Sequence, residues 1–410
     1  MSTDILIRNV RLVDAMLERS GDLYIHEGCI SAIGTRLSIP DASVIEGDGR
    51  TLLPAFVDLH VHFRDPGFTH KEDILSGSRA AVAGGYTAVS VMANTDPVCD
   101  HPEVAQHIQQ RAKEAGLVDV FPVGAITRGL EGEVLSDMEG LSPHVWAFSD
   151  DGRGVQRDDV MLSACERAAL LNRPLVEHCE TQGVTDRTLS EALMVARDLV
   201  LSRHSGCRLH IAHVSTAEAV DMIDRAKHSN VPVTCEVTPH HLCLDEEVNY
   251  SVNPPLVDRA VREALIRALV EGRIDAVATD HAPHTLEDKA SGMSGISGIE
   301  TAFALLYTHL VRPGTLSLSQ LSRVMSLNPG HILGLTKGKV EIGYDGDVVL
   351  VEEDESFTVS EDGLISKGKN TPLLGTTLSG KVWATVHKGD VVYIDGRIKG
   401  RDFDDYRQVS

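Results

Sequence analysis

The sequence predicts an α/β protein, in which a parallel (β/α)8 TIM barrel is joined to a small β-sandwich built from both ends of the chain. Between residues 53 and 338, eight apolar segments of strand length alternate with segments of helical pattern, which is typical of such a barrel. Short strands with glycine-containing turns occupy residues 1–52 and 339–410. Each of these halves alone would leave a sheet face exposed, so we expect them to pair.

The barrel strands and helices are predicted in strict alternation. The candidate strands are residues 53–62, 87–94, 118–127, 145–150, 174–178, 208–214, 231–237 and 274–280. Helical patterns between them include residues 72–83, 103–115, 159–171, 216–226 and 259–270. A doubly wound open sheet is the competing interpretation, but no glycine-rich phosphate-binding loop follows any of these strands. The barrel is therefore favoured.

Composition limits the possible partners and the compartment. A formal net charge of −22 argues against nucleic acid or an anionic membrane surface as a partner, because both require a basic face. The seven cysteines form no CxxC pair, which indicates reduced thiols. The N-terminus lacks a signal-peptide pattern and no apolar run reaches membrane-spanning length. We expect a cytoplasmic protein.

Polar residues gather where the predicted barrel strands end. In a (β/α)8 barrel these carboxyl ends form the catalytic face. The residues concerned are His60 and His62 (first strand), Asn94 (second), Asp150 and Asp151 (fourth), His178 (fifth), His213 (sixth), and Asp280, His281 and His284 (eighth). Each alone could be a polar cap, but so many on one rim indicate a metal centre.

Four imidazoles and two carboxylates exceed the needs of one tetrahedral zinc site and fit two metals. His60 and His62 would hold one metal, His178 and His213 the other, and a carboxylate would bridge them. Such a pair can share a hydroxide and polarise a carbonyl. Asp280, on the last strand, is placed to shuttle a proton. The reaction class is hydrolysis of an amide-like bond, or its reversal.

Over essentially its whole length the chain resembles the amidohydrolase superfamily and, within it, the bacterial class I dihydroorotase family. The segments that carry the resemblance are residues 58–67, 92–95, 149–152, 177–180, 212–216, 236–242, 253–256 and 278–284. The resemblance implies reversible cyclisation of N-carbamoyl-L-aspartate to dihydroorotate in pyrimidine synthesis. It also implies a homodimer and makes aspartate carbamoyltransferase a candidate partner.

The resemblance implies a complete set of site residues. One zinc would be held by His60, His62 and Asp280, and the other by His178 and His213, with Asp151 and a hydroxide bridging the two ions. Asp280 would also be the catalytic proton shuttle. The implied substrate-binding residues are His62, Arg64, Asn94, Asn253, His284, Ser294 and Gly295.

Arg64 independently suits an anionic substrate, because its planar fork matches a carboxylate. The alternative is a salt bridge to Asp65. His240 and His241 are not assigned to the metals, since adjacent strand residues face opposite sides. Two departures from the family pattern are the short segment between His178 and His213 and the absence of an aromatic residue at Ser294.

Two other functions are considered. An allantoinase-like or dihydropyrimidinase-like hydrolase acts on rings without the carboxylate, which would leave Arg64, Asn94 and His284 without a role. A non-catalytic dihydroorotase-like partner of aspartate carbamoyltransferase would be marked by missing metal ligands, and none is missing.

Overall fold

The computed structural model describes residues 4–408. The predicted terminal domain also includes residues 1–3 and 409–410, which lie outside the described residues. The strands, in chain order, are β1 (Ile5–Val13), β2 (Glu18–His26), β3 (Cys29–Gly34), β4 (Ser43–Glu46), β5 (Thr51–Pro54), β6 (Phe56–Val61), β7 (Tyr86–Val91), β8 (Asp119–Gly124), β9 (Ala147–Phe148), β10 (Leu175–Glu177), β11 (Leu209–Ile211), β12 (Val233–Val237), β13 (Ala276–Val277), β14 (Val348–Thr358), β15 (Thr377–His387), β16 (Asp390–Ile394) and β17 (Arg397–Ile398).

The α-helices fall mainly between the barrel strands. They are α1 (Ile74–Ala83), α2 (Pro102–Ala115), α3 (Met138–Leu141), α4 (Asp158–Leu171), α5 (Arg187–Ser205), α6 (Ala217–His228), α7 (Pro239–Cys243), α8 (Arg259–Val270), α9 (Leu286–Ala290), α10 (Ala302–Leu306), α11 (Leu318–Ser322) and α12 (Asn328–Leu333). The local sequence determines where several of these helices begin. Asp73, for example, caps α1 by accepting a hydrogen bond from the Ser76 backbone N–H at 2.7 Å, which satisfies a donor that the helix leaves unpaired.

Strands β6 to β13 form one parallel eight-stranded sheet in which every neighbour in space is also the neighbour in sequence. The two edges of this sheet approach each other, since Val61 forms a parallel bridge with His281 and the His62 N–H donates to the His281 carbonyl at 2.8 Å. The result is a nearly closed barrel. The predicted barrel is confirmed, and the doubly wound alternative is wrong.

The segment 53–62, predicted as a single strand, is divided between two sheets at Ala55. The Ala55 N–H bonds to the carbonyl of Asp347 in the terminal region, whereas the Phe56 N–H bonds to the carbonyl of Gly85 at the start of the next barrel strand. Most other barrel strands are also shorter than predicted. Their last polar residues leave the hydrogen-bonded ladder and form the loops of the catalytic face.

Both chain ends pair in one continuous nine-stranded sheet of order β17-β16-β15-β14-β5-β1-β2-β3, with β4 beside β1. Strand β5 is the junction: it runs antiparallel to β14 and parallel to β1. This confirms the predicted pairing of the ends. The sheet has an apolar core of its own, separate from the main core of the barrel, so the terminal unit packs as a body beside the barrel.

No helix within residues 4–408 is long and apolar enough to cross a membrane. The seven cysteines are free thiols, and all except Cys29 are buried. Unpaired thiols are what the cysteine spacing predicts.

Candidate metal centre and substrate cavity

The six predicted metal ligands meet at the carboxyl ends of the barrel strands. They lie on or just beyond five strands: His60 and His62 at the end of β6, Asp151 after β9, His178 after β10, His213 after β11 and Asp280 after β13. All six side chains are buried. The closed order of the barrel is what brings residues more than 200 positions apart in sequence to one point.

Asp151 occupies the middle of this cluster. Its Oδ1 lies 3.4 Å from His60 Nε2, 3.7 Å from His213 Nε2 and 3.9 Å from His178 Nδ1. Its Oδ2 lies 3.6 Å from His62 Nε2. A single carboxylate thus faces all four imidazoles, which is the geometry a bridging ligand requires.

Asp280 lies on the same side of the cluster as His60 and His62. Its Oδ1 lies 3.0 Å from His62 Nε2 and 3.6 Å from His60 Nε2. On the opposite side, His178 Nδ1 and His213 Nε2 are 3.0 Å apart. The structure therefore brings together both groups of ligands proposed from the sequence.

The donor atoms are of the kinds that bind a divalent metal. The ligand atoms of His60, His62 and Asp280 lie within 4.8 Å of one another, as do those of His60, Asp151 and His213. His60 Nε2 and Asp151 Oδ1 are buried without a hydrogen-bond partner, an arrangement that is costly unless another group satisfies them. Imidazole nitrogens and carboxylate oxygens are zinc ligands, so these residues fit a metal ion.

Three of the imidazoles are oriented by an acceptor on the side away from the cluster. His60 Nδ1 contacts Glu236 Oε1 at 3.1 Å, His62 Nδ1 contacts Asn94 Oδ1 at 2.9 Å, and His178 Nε2 contacts Glu180 Oε2 at 3.2 Å. When one ring nitrogen donates to such an acceptor, the other keeps its lone pair for a metal. In each ring the nitrogen left over is the one that faces Asp151.

Electrostatics favour ionised carboxylates in the cluster. Burial opposes the ionisation of Asp280, but a hydrogen bond to His62 and the charge of His60 hold its pKa well below the usual range. The pKa of Asp151 is likewise lowered, against the effect of burial, by His60 and His213. Both side chains are thus anionic at neutral pH, which is the state that binds cations.

The backbone is left-handed at three site residues that are not glycine: Arg64 (φ 58°), His213 (φ 31°) and Asp280 (φ 47°). This conformation is uncommon for such residues and is found where the surrounding structure enforces it, often at functional sites. Here each left-handed residue lies just beyond a barrel strand and lines the same cavity.

A cavity of about 270 Å³ opens above the cluster. All seven predicted substrate-binding residues line it: His62, Arg64, Asn94, Asn253, His284, Ser294 and Gly295. Arg64 Nη2 lies 3.3 Å from His284 Nε2. Burial lowers the pKa of Arg64 to about 10 and that of His284 to about 4, so at neutral pH Arg64 is a cation beside a neutral imidazole.

The alternative that Arg64 pairs with Asp65 is wrong. Asp65 instead faces His107 at 3.2 Å and Arg111 at 3.6 Å. Strand β6 ends at Val61, so Arg64 does not point into the cavity by strand alternation. Arg64 reaches the cavity through its left-handed backbone instead.

Residues 285–299, here called the substrate loop, are fastened to the loop that carries Asn253. Lys289 Nζ donates to the carbonyls of Ser251 at 2.8 Å and Gly295 at 3.0 Å, and the Ser251 and Ser294 hydroxyls are 3.0 Å apart. Ser294 thus makes a polar contact between the two loops.

Asp150, His240 and His241 take structural positions beside the site. Asp150 accepts hydrogen bonds from the backbone N–H groups of Ile126 and Thr127. His240 and His241 lie on helix α7, not on a strand as expected, and His241 Nε2 contacts the Pro254 carbonyl at 3.1 Å. The helix forms here because Thr238 caps it and Pro239 opens it.

Sequence reasoning gave no role to several residues that support the site. Glu180 and Glu236 stand inside segments that carry the resemblance, and the available signal was an acidic residue in the same segment as a histidine. For Asn370 the sequence offered no signal. It lies in the irregular segment before β15, yet it accepts a hydrogen bond from the His284 N–H at 2.8 Å and donates one to the Gly295 carbonyl at 3.1 Å. The C-terminal segment therefore helps to shape the substrate cavity.

A (β/α)8 barrel with a histidine and aspartate cluster at the carboxyl ends of its strands defines the class of metal-binding hydrolases. A family model described as Dihydro-orotase-like matches residues 49–190. The chain is 42% identical over 395 residues to a dihydroorotase of Clostridium botulinum, covering 95% of this chain and 99% of that protein. It is 40% identical to a dihydroorotase of Listeria monocytogenes, with 93% and 96% covered. The chain belongs to the dihydroorotase family and is a cyclic amidohydrolase.

Solved structures show the same fold at lower sequence identity. The L-hydantoinase (dihydropyrimidinase) of Arthrobacter aurescens matches with a TM-score of 0.88 and 24% identity, covering 97% of this chain and 98% of that one. The dihydropyrimidinase of Brevibacillus agri matches with a TM-score of 0.85 and 23% identity, covering 98% and 97%. These likenesses establish the shared architecture of barrel and terminal sheet.

Proposed function

We propose that this chain is a zinc-dependent dihydroorotase, which interconverts N-carbamoyl-L-aspartate and dihydroorotate plus water in pyrimidine synthesis. One observation carries the proposal. A single cavity is lined by Arg64, Asn94 and His284, whose donors suit a carboxylate, and by members of the metal-ligand cluster. Dihydroorotate has both matching parts, a ring carboxylate and a cyclic amide bond.

Two zinc ions suit the ligand set. His60, His62 and Asp280 would hold one ion, His178 and His213 the other, and Asp151 would lie between them. When bound, divalent ions of this kind polarise a carbonyl and lower the pKa of water towards neutrality. The remaining steps are assigned to side chains of the chain itself.

Asp280 moves the proton. In ring opening, its carboxylate accepts a proton from the attacking water, whose oxygen adds to the ring carbonyl carbon. The carbon–nitrogen bond then breaks, and Asp280 returns the proton to the departing nitrogen. Ring closure follows the same path in reverse, with protonated Asp280 assisting the loss of water. Its position beside His60 and His62 and on the wall of the cavity supports this role.

Arg64, Asn94 and His284 bind the substrate carboxylate. The Asn94 side-chain oxygen is engaged by His62, so its amide N–H groups are the donors left for a ligand. Asn253 and the backbone at Gly295 would hold the ring from the other side. Asn94 would thus orient a metal ligand and contact the substrate at the same time.

An allantoinase-like or dihydropyrimidinase-like activity is the main alternative. Initial rates with dihydroorotate, allantoin and dihydrouracil separate the two functions. We expect turnover of dihydroorotate, and turnover confined to allantoin or dihydrouracil would contradict the proposal. A protein without bound zinc and without turnover, even when mixed with aspartate carbamoyltransferase, would instead be a non-catalytic partner.

We also propose a cytoplasmic homodimer, with aspartate carbamoyltransferase as a candidate partner. The family relationship supports the assembly, and the seven free cysteines support a reducing compartment. Sedimentation of the purified protein, alone and with the transferase, tests both associations. A monomer that does not co-sediment with the transferase would contradict them.

A further inference from the structure

A buried carboxylate, Glu236, joins one metal ligand to a histidine elsewhere in the barrel. Its Oε1 contacts His60 Nδ1 at 3.1 Å and its Oε2 contacts His210 Nε2 at 3.0 Å. The other nitrogen of His210 lies 2.7 Å from the Thr234 hydroxyl. The side chains of Glu236, His60 and His210 are at most 2% exposed, so no bulk water competes for these contacts.

These contacts assign a donor and an acceptor to each hydrogen bond that links His60, Glu236, His210 and Thr234. Carboxylate oxygens accept hydrogen bonds, and each oxygen of Glu236 faces one ring nitrogen, so the facing nitrogens of His60 and His210 are the donors and carry the protons. The Thr234 hydroxyl can then donate to the remaining nitrogen of His210. For His60, a proton on Nδ1 leaves the lone pair of the neutral ring on Nε2.

His60 Nε2 is the atom that faces the metal cluster. It lies 3.4 Å from Asp151 Oδ1 and 3.6 Å from Asp280 Oδ1, and it has no hydrogen-bond partner. The opposite tautomer would point an N–H at this cluster and remove the lone pair that a metal needs.

Glu236 differs from the other two acceptors that orient metal ligands. His62 is oriented by the neutral amide of Asn94. Glu180, which orients His178, has a side chain 35% exposed and is also engaged by Arg187. Glu236 is the fully buried carboxylate among the three, and a carboxylate acceptor also makes the imidazole a better electron donor.

We propose that Glu236, which is not itself a ligand, is a positioning residue that holds His60 in its metal-binding tautomer and so sets the affinity for zinc. The inference rests on the proposed function only in requiring that the cluster binds a divalent metal. Glu236 reaches from β12 across the barrel to β6, although β13 separates these strands in the sheet. It therefore supports the ligand from inside the barrel and not from the neighbouring strand.

The test compares zinc binding by metal-free wild type, Glu236→Gln and Glu300→Gln, using zinc alone as the titrant. Glutamine keeps the size of the side chain but removes its charge and offers one acceptor and one donor, so His60 loses its carboxylate acceptor whichever way the amide is turned. Loss of such an outer partner typically weakens metal binding by about 10- to 100-fold, which we expect for Glu236→Gln. Glu300 accepts backbone N–H groups of Ile365 and Ser366, away from the ligands, so Glu300→Gln should bind zinc as the wild type does.

A second measurement does not depend on any variant. Nitrogen NMR of the metal-free wild type, labelled at histidine and recorded at a pH at which the His60 ring is neutral, reads which nitrogen of that ring carries the proton. We expect His60 to be protonated on Nδ1. A His60 with its lone pair on Nδ1, or a folded Glu236→Gln protein with wild-type zinc affinity, would overturn the proposal. Turnover of dihydroorotate by zinc-loaded wild type tests the proposed function separately.

Discussion

Replacing Arg64 with methionine should weaken substrate binding far more than it slows the chemical step. The variant keeps an unbranched side chain but removes the guanidinium that faces the cavity beside His284. With a pKa of about 10, this group is cationic at neutral pH and would pair with the substrate carboxylate.

The magnitude follows from the energy of hydrogen bonds to charged groups, about 1.5–3 kcal/mol. Each 1.4 kcal/mol corresponds to a factor of about ten, so we expect KM for dihydroorotate to rise by about 10- to 100-fold. The carboxylate that Arg64 binds is remote from the breaking bond, and this interaction is nearly the same in the ground and transition states. Its loss should therefore leave kcat almost unchanged.

Initial-rate kinetics of wild type, Arg64→Met and Arg111→Met provide the assay. Arg111 pairs with Asp65 and Glu114 outside the cavity, so Arg111→Met is a matched control and should retain the wild-type KM. Inhibition by orotate, which carries the carboxylate, should weaken in Arg64→Met more than inhibition by uracil, which lacks it. An unchanged KM, or equal weakening of both inhibitors, would refute the carboxylate-binding role.

Three other predictions concern the proton shuttle, the substrate loop and the terminal sheet. Asp280→Asn should lower kcat by about 10²–10⁴-fold in both directions. Because the pKa of Asp280 lies well below the usual range, the carboxylate that ring opening needs is already present near neutral pH, whereas ring closure, which needs the protonated form, should speed up as pH falls. Parallel pH profiles in the two directions would contradict the assignment. Lys289→Met removes a cation that fastens the substrate loop to the loop of Ser251. It should raise KM several-fold while the melting temperature stays near that of wild type, and an unchanged KM would count against a role of this contact in substrate binding. Burial opposes ionisation of Asp347, but His387 and Lys337 hold its pKa well below the usual range. The contribution of ionised Asp347 to the stability of the fold is therefore complete above about pH 4 and is lost as pH falls further. Asp347→Asn leaves Lys337 short of a partner and should lower the free energy of unfolding by about 3 kcal/mol at pH 7, measured by denaturant unfolding. Equal acid sensitivity of the wild type and the variant would refute this role of Asp347.

The sequence predicted the barrel because its strands are apolar on both faces and alternate with amphipathic helices in strict order. The same order predicted which residues would meet, since carboxyl ends of parallel strands lie on one face. His60, His178 and Asp280 could thus be placed together before any coordinates. Placing these residues together required the order of the strands but not the detailed path of the loops.

The features that sequence could not supply depend on contacts between distant segments. Arg64 reaches the cavity through a left-handed residue after its strand has ended, which strand periodicity cannot indicate. Asn370 shapes the cavity from the C-terminal segment, where no local pattern marks it. Glu236 stands in a recognised segment, but its contact with His60 crosses the barrel, so its role becomes visible only when the fold is closed.

In the proposed function, the cluster around Asp151 binds zinc and this zinc is needed to open the dihydroorotate ring. The most direct test is to titrate metal-free protein with zinc while measuring bound zinc and dihydroorotate hydrolysis in the same samples. We predict no turnover without metal and a rise to a plateau at two zinc ions per chain. Full turnover in samples without bound metal, or zinc-loaded protein that does not hydrolyse dihydroorotate, would contradict the claim.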